Sequence, residues 1–249
     1  MNHTLEQLAQ TLFQQWFVAF DFPDAQEQPY RSSGGELVES ELGDIPQGWR
    51  VGKTQDAFST VGGGTPSTSN PDFWENGGIP WTTPKDLTGV AAPVMLDTER
   101  RITKIGLAKI SSGLLPTGTL LLSSRAPIGY LAITQLPVAI NQGYIALNAK
   151  GYVGNLYMLF WLKQNMDVVK GRANGTTFQE ISKGSFRDIY MILPDAATAN
   201  RFDQIAQQLF ARIVANETQS RTLTTLRDTL LPQLLSGRLT VRQAAALVG

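Results

Sequence analysis

The chain has 249 residues, 21 basic against 21 acidic side chains, no cysteine and a single histidine, His3. That composition excludes disulfides, cysteine-ligated zinc and thiolate catalysis, suits a reducing cytoplasm, and leaves any Ser–His chemistry to one terminal imidazole. The length allows one or two domains with a real core, and no apolar run reaches the ~18 residues a membrane helix needs.

The first predicted element is a helix over Thr4 to Phe20. Leu5, Leu8, Leu12, Phe13, Trp16, Phe17 and Phe20 recur at helical spacing, and Thr4 is placed to cap the start. The first ten residues carry neither a basic n-region nor an apolar h-region, so no secretory signal is expected. Residues 21–48 are acidic and rich in Pro, Gly and Ser, which predicts a wrapping loop or linker. From Trp49 to Leu193 short β-branched runs alternate with turn residues. Strands are expected at Arg50–Lys53, Ile79–Thr82, Thr119–Ser123, Tyr130–Thr134, Tyr144–Leu147 and Ile189–Leu193, with one helix near Val153 to Lys170.

The last element is a long helix, free of Pro and Gly from Thr198 to Leu231 and therefore ~51 Å long. A 4,3 repeat runs through Phe202, Ala206, Leu209, Ile213, Asn216, Ser220, Leu223, Arg227, Leu230 and Leu234, the pattern of a coiled-coil seam with a polar centre. Pro232 is expected to end or kink the helix, and Gly237 to provide a second stop. The expected fold class is α+β: a β-rich domain flanked by a short N-terminal helix and a long C-terminal coiled-coil helix. The expected segments are 1–47, 48–195 and 196–249.

Charge is unevenly spread along this plan. Eleven Lys/Arg stand against three acids between Arg100 and Asp188, whereas residues 1–50 carry two bases and eight acids. A concealed basic domain points to a polyanion partner. Mutual neutralisation of the two parts within the fold is the alternative.

Motifs for catalysis are missing. Gly62-Gly63-Gly64-Thr65-Pro66-Ser67 lacks the Gly-Lys-Ser/Thr ending of a phosphate loop and reads as a tight turn needing positive φ. Asn70-Pro71-Asp72-Phe73 departs from the Asn-Pro-Pro-Tyr/Phe loop of amino-methyltransferases at its third position, and no cofactor loop precedes it. Carboxylates are scattered, without a metal-ligand or nuclease pattern. No catalytic residue, cofactor or metal is therefore expected. Binding chemistry is better represented. Arg125 sits at a strand end beside a Pro/Gly turn, and Asn141-Gln142 places two amides before a strand. Arg pairs bidentately with guanine, Asn and Gln with adenine. Asn141 and Gln142 serve equally well to satisfy buried backbone groups. Lys170, Arg172, Thr176, Thr177 and Lys183 belong to a polar loop suited to phosphates. Trp49, Trp74 and Trp81 are expected in the core rather than as stacking surfaces.

Several segments together resemble the specificity subunit of Type I restriction–modification systems. They are Leu12 to Asp21, Ile45-Pro46-Gln47-Gly48-Trp49, Gly62 to Ser67, Ile79 to Leu87 (with Lys85), Ser124 to Gly129, Asn141-Gln142-Gly143 and Leu230 to Gly237. The resemblance implies a target-recognition domain that reads half of a bipartite site on double-stranded DNA. It also implies methylation and cleavage by separate modification and restriction subunits. Such subunits carry two recognition domains and two long helices packed antiparallel. This chain has one of each, near 48–195 and 196–249, which implies a half-length form acting as a homodimer through the seam Phe202 to Leu234. DNA-binding residues are expected at Lys85, Arg125, Asn141, Gln142, Lys170, Arg172, Thr176, Thr177 and Lys183. A non-enzymatic carbohydrate- or protein-binding module using Trp74, Trp81 and Tyr130 is the alternative function.

Overall fold

The computed structural model describes residues 1–175, 179–240 and 242–243. Helix α1 (Asn2–Phe17) buries Ala9, Phe13, Trp16 and Phe17 along one face. It starts two residues before the expected Thr4 and has no side-chain cap. It stops before Phe20, whose φ of +64° turns the chain away. That turn lays the Phe20 and Phe22 rings on the Trp49 indole, with centroids 5.7 and 5.0 Å away. The acidic segment then wraps back through the antiparallel pair β1 (Leu37–Val38) and β2 (Ile45–Pro46).

The middle of the chain continues with β3 (Arg50–Lys53), α2 (Thr54–Ala57), β4 (Phe58–Gly62), β5 (Ile79–Thr82), β6 (Val94–Met95) and β7 (Arg100–Ile102). Then come α3 (Lys104–Leu107), β8 (Leu120–Ser123), β9 (Leu131–Thr134), β10 (Ala139–Ile140) and β11 (Tyr144–Ala149). It closes with α4 (Asn155–Gln164), α5 (Met166–Gly171), α6 (Lys183–Arg187) and β12 (Tyr190–Leu193). The expected strands agree with β3 and β5 and lie within two residues of β8, β9, β11 and β12. Short strands such as β6, β7 and β10 escape periodicity because two or three residues cannot show it.

The main sheet has the order β4-β11-β8-β9-β6, antiparallel except for β6 beside β9. Its centre, β8, is buried on both faces. Leu120 and Leu122 face the large core shared with α4, while Leu121 faces Leu87, Met95 and Tyr144, the two-residue alternation of a strand covered on both sides. A second sheet, β10-β5-β7, and the pair β12-β3 flank it.

The helix expected over Val153–Lys170 breaks in two at Asn165 (φ −113°, ψ 23°), whose carboxamide donates to the Trp161 carbonyl at 2.9 Å. A short amide side chain that bonds the backbone this way competes with the helix ladder. α4 is buried almost all round, from Leu156 to Leu162.

Helix α7 (Ala196–Leu235) is longer at both ends than expected, ~60 Å. Pro232 lies inside it rather than ending it, because a proline in the last turn removes only one helical bond. Gly237, with φ +72°, follows the end.

The seam of α7 is not free along its whole length. α1 runs antiparallel beside it. Asn2 meets Asn216 and Glu217 at one end, while Phe13, Trp16 and Phe17 surround Phe202 at the other. Phe202, Ala206 and Ile213 are 0%, 1% and 2% exposed, and Leu209 packs partly on the same core. These four positions, expected on a dimer surface, belong to the chain's own core. Asn216 is likewise spent, donating to Asn2 Oδ1 at 2.7 Å. The aromatic face of α1 had to be covered, and the first half of α7 covers it. Beyond Glu217 the helix is no longer covered by α1, and Leu223 is 59% exposed. Among the described residues no helix is long and apolar enough to cross a membrane.

Asp195 joins the β-rich body to α7. Its carboxylate accepts from the Ala197 and Thr198 amides at 2.9 and 3.0 Å, from the Thr198 hydroxyl at 2.6 Å, and from Trp49 Nε1 at 3.0 Å. Burial pushes this carboxyl up, but the four hydrogen bonds outweigh burial and hold it below the usual aspartate range. A lowered folded-state pKa adds stability above the unfolded value, and that stability is lost as pH falls through the folded value. Asp195→Ala should cost about 2–3 kcal/mol, a lost cap plus an orphaned indole N–H. Asp195→Asn should lose less and flatten the acid limb of urea midpoint against pH. An unchanged acid limb would show that Asp195 is not the titrating group.

Candidate nucleic-acid interface

Ser124 is the node of the site. It follows β8, is buried, donates its N–H to the Gly143 carbonyl at 2.8 Å and accepts from the Ile181 N–H at 3.0 Å. Three segments distant in sequence are thereby tied together. Arg125 and Gln142 sit immediately beside these contacts, and Lys183 lies two residues beyond Ile181.

Arg125 forms a bridge and a 3.6 Å ion pair with Glu180. Glu180 in turn pairs its backbone with Asn174, at 2.9 and 3.0 Å, so the loop that leaves α5 with exposed Lys170 and Arg172 closes on the same spot. Thr176 and Thr177 lie outside the described residues. Lys183 opens α6 and lies along Gly62, where an added Cβ would stand 3.1 Å from its ammonium.

The glycine run does not adopt positive φ; its backbone is no left-handed turn, which corrects the expectation. Glycine is needed at 63 for another reason. A Cβ there would fall 1.9 Å from the Ile140 carbonyl oxygen, so only a residue without a side chain admits the approach. The run carries Thr65 to Gln142, and the Thr65 hydroxyl donates to Gln142 Oε1 at 2.6 Å. Gln142 is exposed, and its NH2 has no hydrogen-bond partner among the described residues.

Asn141 behaves differently. Its Oδ1 accepts the Gly143 N–H at 2.9 Å, so its carbonyl serves the turn. Lys85 is exposed and ion-paired with Glu99 at 3.0 Å. It follows Pro84, whose ring lies against Gly143.

The local excess of cations is narrower than its count. Arg101 is paired with Asp97, Lys163 with Glu6, Arg125 with Glu180. Arg187 turns inward to Thr60, and Lys150 donates to the Gln55 carbonyl. Among the described residues, Arg100, Lys104, Lys109, Lys170, Arg172 and Lys183 make neither an ion pair nor a side-chain hydrogen bond, and all are exposed. The middle of the chain is therefore not neutralised wholesale from within. Three of the six, Lys170, Arg172 and Lys183, belong to segments whose backbones connect to the Ser124 node, with Lys183 lying along Gly62 and Arg172 adding to Lys53 in holding the Asp188 carboxyl below the usual range.

No open aromatic floor for a sugar is present at the expected residues. Trp81 and Trp49 are buried, Trp74 packs edge-on against Trp81 at 5.0 Å, and Tyr130 is half-buried. Sequence reasoning missed Thr65 as a holder of Gln142. It treated residues 62–67 as one turn, and only the approach of β10 places Thr65 beside position 142. Among the described residues no three His, Asp or Glu side chains converge on a possible metal position.

A family model described as Type I restriction modification DNA specificity domain matches residues 46–226. The Type I restriction enzyme MjaIX specificity subunit of Methanocaldococcus jannaschii is 38% identical over 161 residues, covering 64% of this chain and 37% of that protein. The HindI specificity subunit of Haemophilus influenzae is 24% identical, covering 96% of this chain and 62% of its own length. This chain spans less than two thirds of either relative. Among solved structures, a chain from work on assembly and conformational transition of the type I R-M system is similar in fold. It has a TM-score of 0.53 and 22% identity, covering 93% of this chain and 52% of the other.

Proposed function

Because the chain belongs to the Type I restriction modification DNA specificity family, we propose that it is a DNA-recognition subunit without chemistry of its own, reading one half of a bipartite duplex site. The observation that carries this proposal is the Ser124 node, whose backbone bonds join the segments of Arg125, Gln142 and Lys183 and, through Glu180 and Asn174, the loop of Lys170 and Arg172; Lys170, Arg172 and Lys183 are exposed and without an ion pair among the described residues. The cations suit phosphates, which position a protein on DNA. Gln142 and Arg125 are the groups that can discriminate bases. Methyl transfer and cleavage fall to separate modification and restriction subunits, which dock on the acidic N-terminal segment and the α1–α7 face rather than on the basic loop.

Two copies restore a two-domain plan. The open second half of α7, with Leu223, Leu226 and Leu230, is the surface that pairs. A two-fold axis through it makes the two recognition domains equivalent, so the target is an interrupted palindrome. The setting is the cytoplasm, where DNA and these partners reside.

Lys183→Ala should weaken binding to every duplex alike and lower the slope of log affinity against log salt by about 0.9. Fluorescence anisotropy of labelled duplexes between low and moderate salt measures it. An unchanged slope after Lys183→Ala and Arg172→Ala together would move the phosphate contacts to another face.

A further inference from the structure

The β10-β5-β7 sheet carries a second group of cations, away from the Ser124 node. Its register sets Ala139 beside Trp81 and Trp81 beside Arg100. Strands lie ~4.8 Å apart, so Arg100 stands about 10 Å from Ala139, which is three residues before Gln142.

Arg100 is not loose in solvent. Its guanidinium lies 3.7 Å from the centroid of the Trp74 ring and 5.5 Å from that of Trp81. Both indoles are pinned by the loop that leaves β4. Trp81 Nε1 donates to the Gly64 carbonyl at 3.1 Å and Trp74 Nε1 to the Ser67 carbonyl at 2.9 Å. The same loop holds Gln142 through Thr65, so one segment positions both groups. The neighbouring Arg101 shows the alternative fate of a cation here, bound to Asp97 at 2.7 Å and to the Gly78 carbonyl at 3.3 Å. The Arg100 guanidinium has no carboxylate or hydrogen-bond partner among the described residues, and the residue is exposed. The cation–π contact holds the guanidinium in place, while its N–H donors have no hydrogen-bond partner among the described residues.

A flat fork of unfilled donors matches the paired O6 and N7 acceptors of guanine in the major groove. We propose that Arg100, held on the Trp74–Trp81 platform, reads a guanine a few base pairs from the position faced by Gln142. The proposal rests on the DNA-recognition function above and adds a reading residue to it.

The test uses the full chain, wild type beside Arg100→Lys and Arg100→Ala, in selection from a random duplex pool followed by affinities for single-base variants of the selected site. Both variants should lose discrimination at one guanine by about 5- to 100-fold, while Arg100→Lys keeps the wild-type salt slope. A loss shared by all sequences in Arg100→Ala and restored in Arg100→Lys would make Arg100 a phosphate contact and overturn the proposal. Unchanged discrimination in both variants would also overturn it, leaving the platform a packing feature. Should wild type show no duplex binding, the broader function fails first. Intact wild-type recognition with unaltered variants sinks the role of Arg100 alone. Thermal midpoints confirm folding, and Arg100→Lys, which keeps length and charge, decides if the alanine variant unfolds.

Discussion

Phe202→Ala should destabilise the chain by about 3–5 kcal/mol, the range for removing a fully buried phenyl group. Phe202 is 0% exposed and lies where α1, α4 and α7 meet. Its ring is edge-on to Phe17 at 5.0 Å and to Phe13 at 5.8 Å, and within 6.5 Å of Trp16, Tyr157 and Phe160. Five aromatic neighbours cannot all collapse into the space left behind, so the cavity term stays large. The loss should fall first on α1, held to the body through these rings. Urea denaturation gives the magnitude, and hydrogen exchange should show α1 opening ahead of β8 and β11. A loss under 1 kcal/mol would mean that the three-helix junction contributes little.

Leu223→Glu with Leu230→Glu should turn a dimer of the 27.2 kDa chain into a monomer. These residues lie on the half of α7 that α1 does not reach, Leu223 exposed and Leu230 half-buried. Leu226 and Leu230 line an open groove with Leu96 of the body, closed at one end by the Asp97–Arg221 ion pair at 2.5 Å. From Thr218 to Leu235 the free helix is ~27 Å long. An antiparallel pair over that length crosses near Leu226, not at the Asn216–Ser220 stretch that the heptad pattern suggests, since Asn216 is bonded to Asn2. The recognition domains would then sit about 34–36 Å apart, one turn of DNA. Losing the second half-site contact should lower affinity for the full site by about 10²–10⁴-fold while leaving affinity for a single half-site unchanged. Light scattering and half-site titrations measure both effects. A monomeric wild type at micromolar concentration, or a methylated site with unrelated halves, would refute the dimer.

Much of the fold was legible. β3 and β5 match their predicted ends, and α7 announced itself by 34 residues without Pro or Gly. The site was legible only in part. The segments of Gln142 and Lys183 are tied to Ser124 by backbone bonds, yet their neighbours in sequence do not share one fate. Asn141 is consumed by its own turn and Arg187 by Thr60, facts that follow from which carbonyl or hydroxyl happens to be near. Arg100 and Arg101 make the same point on adjacent residues of β7: alternation puts one on the indole platform and the other on Asp97.

The sequence by itself determined that no cysteine chemistry is available, the order of its long elements and, through its motifs, its family. These depend on composition and on patterns within one segment, where neighbours along the chain set the outcome. Tertiary structure alone decided which half of the α7 seam is already used, which cations are free, and that the glycine run is a close approach to Ile140 instead of a left-handed turn. The Asn216–Asn2 contact in the seam joins residues 214 apart, the Gly63 approach to Ile140 joins separate segments, and a single sequence contains no term for such a meeting. Burial, pairing and register exist only once the segments have met.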